Sequence, residues 1–130
     1  MEISISEEQD HLISLATKSS LPCLIETGNL FPTLFIHESE QVRYFEFAVG
    51  SGIDELRESV RSALAQANAV AYALAYDSSL ESDGTTNDAL CIETCDADDQ
   101  QGIVLAMVYC RDDGSHSNLE FVGYAEKLLP

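Results

Sequence analysis

Two acidic turns hold the residues with the most chemistry in them. Asp96, Asp98 and Asp99 fall within one short stretch, and Asp112 and Asp113 come just before His116. Carboxylate oxygens gathered in this way are what Ca²⁺ and Mg²⁺ take as ligands. One functional reading is therefore a metal-assisted hydrolase built on the loop at 96–99. The spacing is not that of an EF-hand. Counted from Asp96, the turn glycine would fall at Gln101 and the bidentate glutamate at Met107. The plainer reading is that these carboxylates keep hairpin tips solvated and cap local backbone donors.

Nucleophilic chemistry would need a thiol beside a base, and the candidates are Cys23 or Cys91 with His37 or His116. A structural thiol buried in a strand satisfies the same residues. None of His11, His37 and His116 sits in a zinc-binding spacing. There is no nucleophile elbow, phosphate-binding loop or dinucleotide fingerprint, so no cofactor is expected. Gly50-Ser51-Gly52 precedes a helix and could cradle an anion, but Asp54 and Glu55 oppose one there, so it reads as a strand-to-helix turn. Arg57 and Arg61 are four apart and share a helix face. They could dock an acidic element of a partner, or pair locally with Asp54 and Glu58.

The elements that position these residues follow from pattern. Ser6-Glu7-Glu8-Gln9 is a capping box, and the helix it opens is expected to end near residue 20 because Pro22 follows. Residues 22–27, 33–37 and 42–49 read as three strands. A second helix spans about Ile53 to Ala67, with Ile53, Leu56, Val60, Ala63, Leu64 and Ala67 on one stripe and Ser51 or Gly52 as its cap. From Ala69 to Ser78, Val70, Tyr72, Leu74 and Tyr76 alternate with alanines. The period of two argues for a strand over an alanine-rich helix running on from Ala63. Its flat alanine face is expected to receive the second helix. A polar turn at 81–87 and strands at 88–95, 103–110 and 119–128 complete an antiparallel meander. The fold class is α+β: a strongly bent antiparallel sheet of about six or seven strands with both helices against it, in the order α-β-β-β-α-β-β-β-β.

The length of 130 residues suits one domain, 1–130, large enough for a core without staples. Cys91 and Cys95 would lie about 13 Å apart along one strand, too far to bridge, so reduced, mostly buried thiols are expected. No stretch approaches a membrane span, and Met1 to Ile5 lack the features of a secretory signal. A cytoplasmic location is the resulting expectation. Charge is the unusual quantity: 23 acidic against 6 basic residues, a net of −17. That balance repels nucleic acid and anionic membranes and speeds encounter with a basic protein. Twelve of the acids and only two basic residues follow residue 68, mostly in the turns at 77–88, 96–99 and 112–113, so the charge marks hairpin tips.

In size, acidity and the helix–three strands–helix order of residues 6–67, the chain resembles bacterial type III secretion chaperones. These are small acidic dimeric α/β proteins that open with a helix. That family ends in a helix, whereas Leu119 to Pro130 reads as a strand here. The resemblance implies an acidic chaperone for a basic protein. An immunity protein or other inhibitor of a basic active site fits the same facts, and so does a structural domain whose acidity serves solubility alone. The long terminal strand and an aromatic face of Tyr72 and Tyr76 point to a homodimer.

Overall fold

A computed structural model of the chain describes residues 5–48 and 52–130. The capping box forms as expected. Ser6 Oγ accepts the Gln9 N–H at 3.2 Å, and Gln9 Oε1 accepts the Ser6 N–H at 3.1 Å. The helix it opens, α1, runs over Glu7–Thr27 and contains Pro22. Neither the stop near residue 20 nor the strand at 22–27 exists. Pro22 is exposed, so the ring displaces only a solvent-side bond to the Lys18 carbonyl. Continuing the helix buries Leu21 and Leu24, which outweighs that loss. The helix ends where Gly28 takes φ 75° and returns its N–H to Leu24 O at 2.8 Å. The last turn holds no basic residue of its own. Arg111, from far along the chain, donates to the Ile25 and Glu26 carbonyls instead. A Cβ on Gly28 would lie 2.6 Å from Arg111 Nη1, so a side chain there would push the guanidinium off these carbonyls, and the positive φ itself favours glycine.

Two strands follow, β1 (Thr33–His37) and β2 (Val42–Glu46), then α2 (Ile53–Ala65), capped by Gly52 without a side-chain bond. The order through this part is therefore helix, two strands, helix. Val49 and the Gly50–Ser51 part of the expected turn lie outside the described residues. The remaining strands are β3 (Ala71–Ser82), β4 (Thr85–Asp96), β5 (Gly102–Val108) and β6 (Glu120–Ala125). They form one open antiparallel sheet of order β2-β1-β3-β4-β5-β6. The expected polar turn at 81–87 is almost all strand. Only Asp83 (φ 52°) and Gly84 (φ 77°) turn, as a two-residue hairpin that needs positive φ at both positions. The architecture is α+β, with helices on both faces of the sheet.

The alternation in β3 has the expected parity but the opposite helix on its flat face. Ala71, Ala73 and Ala75 lie under α1, with Leu12, Ala16 and Leu24 above them. Phe35 on β1 and Ile92 on β4 are registered against these alanines, so the flat strip is flanked by bulk and accepts the longer helix. Tyr72 and Leu74 face the other way and pack with Leu56, Val60 and Leu64 of α2. Gln9 joins the first layer to the sheet. Its Nε2 donates to Thr94 Oγ1 at 3.3 Å, and Thr94 donates on to Tyr72 O at 2.8 Å. On the opposite face, Tyr72 Oη accepts the N–H of buried Leu128 at 3.1 Å and holds the chain after β6 against that core. Among the described residues, no helix is long and apolar enough to cross a membrane.

Candidate functional site

The most concentrated chemistry lies between α2 and the sheet. On β4, Cys91, Glu93 and Cys95 point toward α2, while Leu90 and Ile92 point toward α1. Glu93 is 1% exposed. Its Oε2 accepts from Arg57 Nη2 and from the Tyr76 hydroxyl, both at 2.8 Å. Glu93 Oε1 and Arg57 Nη1 are buried without a hydrogen-bond partner. Burial opposes the Arg57 charge, but the Glu93 carboxylate outweighs it and raises the Arg57 pKa. Burial and the same carboxylate push Tyr76 far above the ordinary phenol range, and burial raises the Cys91 thiol. The phenol therefore stays a donor and the thiol stays protonated. The arrangement is a fixed ion pair that ties α2 to the sheet, with no activated nucleophile.

A second feature is open to solvent. β1 pairs with β3 only from Ala71 to Ala75, and β5 pairs with β4 only from Ala89 to Thr94. The β3–β4 hairpin therefore runs on beyond both neighbours, from Tyr76 to Asp88, carrying Asp77, Glu81, Asp83 and Asp88 and no basic residue. Beside its β3 edge is a cleft of about 520 Å³ lined by Cys23, Thr27, Leu30, Phe31, Tyr76 and Asp77. Phe31 is 54% exposed. Asp77 accepts from the Tyr109 hydroxyl at 3.2 Å, and burial raises its carboxyl pKa. A second hollow of about 510 Å³, beside the β4 edge, is lined by Asn87, Asp88, Cys110, Arg111 and His116.

The residues singled out from sequence are dispersed. Asp96 Oδ1 accepts the Asp98 N–H and Asp99 Oδ2 accepts the Asp96 N–H, each at 3.0 Å, so these carboxylates cap their own turn. Lys127 donates to the Ala97 and Asp99 carbonyls. Asp113 likewise caps Ser115 N–H, and His116 Nδ1 meets Ser117 O at 2.8 Å. Among the described residues, no group of three or more His, Cys, Asp or Glu side chains is placed to hold a metal ion. No hydrogen bond among them joins a cysteine to a histidine: Cys23 bonds to the Asn29 carbonyl, and His37 meets His11 edge-on. All four cysteines are free; Cys91 and Cys95 are buried, and Cys110 is exposed. Arg57 and Arg61 do share a face but turn to different acids, Arg57 to Glu93 and Arg61 to Glu58 and Glu126. Tyr72 is 0% exposed beneath α2, whereas Tyr76 is half-buried, bonds inward to Glu93 and also lines the cleft beside Phe31.

Glu93 and Phe31 were not singled out by their local sequence. For Glu93 there was one signal: an acid at the centre of the alternating set Cys91, Glu93, Cys95 must face whatever its neighbours face. No protein-family model, curated protein or solved structure matches the chain.

Proposed function

We propose that the protein is a small acidic binding or regulatory protein, chaperone- or inhibitor-like, that recognises a basic protein partner. One observation carries this reading: the chain's few cations are already committed internally. Arg43 meets Glu38, Arg57 meets Glu93, Arg61 meets Glu58 and Glu126, and Arg111 and Lys127 hold backbone carbonyls. Five of the six basic side chains are thus spent on the fold, and the surface left for a partner is acidic. Such a surface steers a basic protein toward it and repels phosphate backbones. The free thiols support a reducing, cytoplasmic setting. Affinity capture from the native host at low salt is expected to return one basic protein in stoichiometric amount. The complex should weaken steeply as salt rises from about 50 to about 300 mM, where screening shortens the reach of charge to a few ångströms. Capture of no basic protein, or binding indifferent to salt, would overturn the reading.

A second copy is the other partner we propose, through β6. This edge strand exposes Phe121 (40%), Val122 (47%) and Tyr124 (47%). It carries a single acid in six residues, so like charge opposes a second copy only weakly there. Light scattering at micromolar concentration is expected to give twice the chain mass of 14.2 kDa; a monomeric mass rejects the dimer.

A further inference from the structure

We propose that the β3 edge from Tyr76 to Ser82, together with the cleft beside Phe31, is a docking groove for an extended basic segment of the partner protein, which adds to the sheet as a strand. This rests on the basic-partner reading above and adds the place and the mode of binding.

Three observations converge on it. First, the edge is open. Pro32 stands where β1 would otherwise continue alongside Tyr76, and its carbonyl accepts from Phe47 N on the β2 side at 2.9 Å. Pro32 thus turns its one backbone hydrogen-bonding group away from β3, and β1 begins only at Thr33. Seven residues of β3 then run without a strand on that side among the described residues, a length of about 20 Å. An edge of this kind offers backbone donors and acceptors to a segment of any sequence. Second, the charge is of one sign. Asp77 and Glu81 lie on the same face of the edge, Asp83 is at the tip, and no basic residue lines the cleft. The corresponding hollow on the β4 side contains Arg111, which makes the β3 side the one complementary to a cation-rich strand. Third, the floor is apolar. Phe31, Leu30 and Pro32 stand where alternate side chains of an added strand could bury surface. The occupant is therefore an extended segment that carries both cationic and aliphatic side chains, not a folded basic surface.

The probe is a labelled heptapeptide of alternating lysine and valine, compared with an analogue of the same sequence methylated at every backbone nitrogen. Both carry the same charge, but the analogue cannot supply the ladder. Fluorescence anisotropy is expected to show the lysine–valine peptide binding at least about tenfold tighter than the analogue. Hydrogen exchange should slow at amides within 76–82. Glu81→Lys and Phe31→Ser, both at exposed positions, should each weaken binding about tenfold while leaving the circular dichroism spectrum unchanged. Equal binding of the two peptides, or protection confined to β2 or β6, would overturn the groove while leaving the acidic binding reading intact. Binding of neither peptide at low salt would count against both.

Discussion

Replacing Arg57 by methionine is expected to destabilise the fold by about 3 kcal/mol, at the lower end of the range for breaking a buried ion pair. The loss does not come from the arginine itself, whose side chain is 25% exposed. It comes from the carboxylate left behind. Glu93 is 1% exposed and its Oε1 already lacks a partner, so without Arg57 only the Tyr76 hydroxyl would compensate its charge. That remaining bond is why the lower end of the range applies. Removing both charges should be far milder than removing one. Arg57→Met with Glu93→Met replaces the pair by apolar groups of similar length among Leu74, Cys91 and α2, and is expected to recover most of the loss. Tyr76 would then lack its acceptor, a residual penalty of about 1 kcal/mol that a third change, Tyr76→Phe, should remove. Urea unfolding followed by circular dichroism reads all these variants, and the coupling between positions 57 and 93 comes directly from the cycle. A loss below about 1 kcal/mol for the single variant would mean that Glu93 is solvated and that α2 is not held by this pair.

How much of this arrangement was legible depends on how local each signal was. The stripe Leu56, Val60 and Leu64 and the strand Thr33–His37 are written in contiguous residues, and both form where the pattern places them. The parity of β3 was legible for the same reason. Which helix covers which face was not, because that depends on the flanking Phe35 and Ile92, distant in sequence. The aromatic pair Tyr72 and Tyr76 looked like a surface because alternation in an antiparallel strand is usually read with one wet face. Here α2 covers that face fully at Tyr72 and leaves Tyr76 half-buried. The Asp83-Gly84 turn was lost in a polar stretch that is otherwise strand, since serines and threonines there read as loop. The pairing of Glu93 with Arg57 spans 36 residues and two elements, and no spacing rule reaches across it. The acidic loop at 96–99 illustrates the converse. Its residue types suggest ligands, yet the side chains of Asp96 and Asp99 accept backbone N–H groups of the turn they occupy.

Pro22→Ala is expected to stabilise the protein by about 2 kcal/mol, an unusual sign for a substitution in a packed helix. An interior proline is about 3 kcal/mol less favourable than alanine in a helix. Part of that is offset, because proline also stiffens the unfolded chain, by about 0.4–1 kcal/mol. Since the side chain of Pro22 is exposed, alanine leaves no cavity and only restores the bond to the Lys18 carbonyl. The same substitution separates the two accounts of this segment. If α1 stopped near residue 20 and residues 22–27 formed a strand, removing the proline would change stability by less than about 0.5 kcal/mol or lower it. If α1 is continuous to Thr27, the gain appears in the urea midpoint, and the Cα chemical shifts from Lys18 to Ile25 remain helical in both proteins. Leu21 and Leu24, both buried against the sheet, hold the helix continuous, as does Arg111, which bonds the Ile25 and Glu26 carbonyls from far along the chain. These contacts exist only if the helix passes through Pro22, and they are what outweigh its local preference to stop.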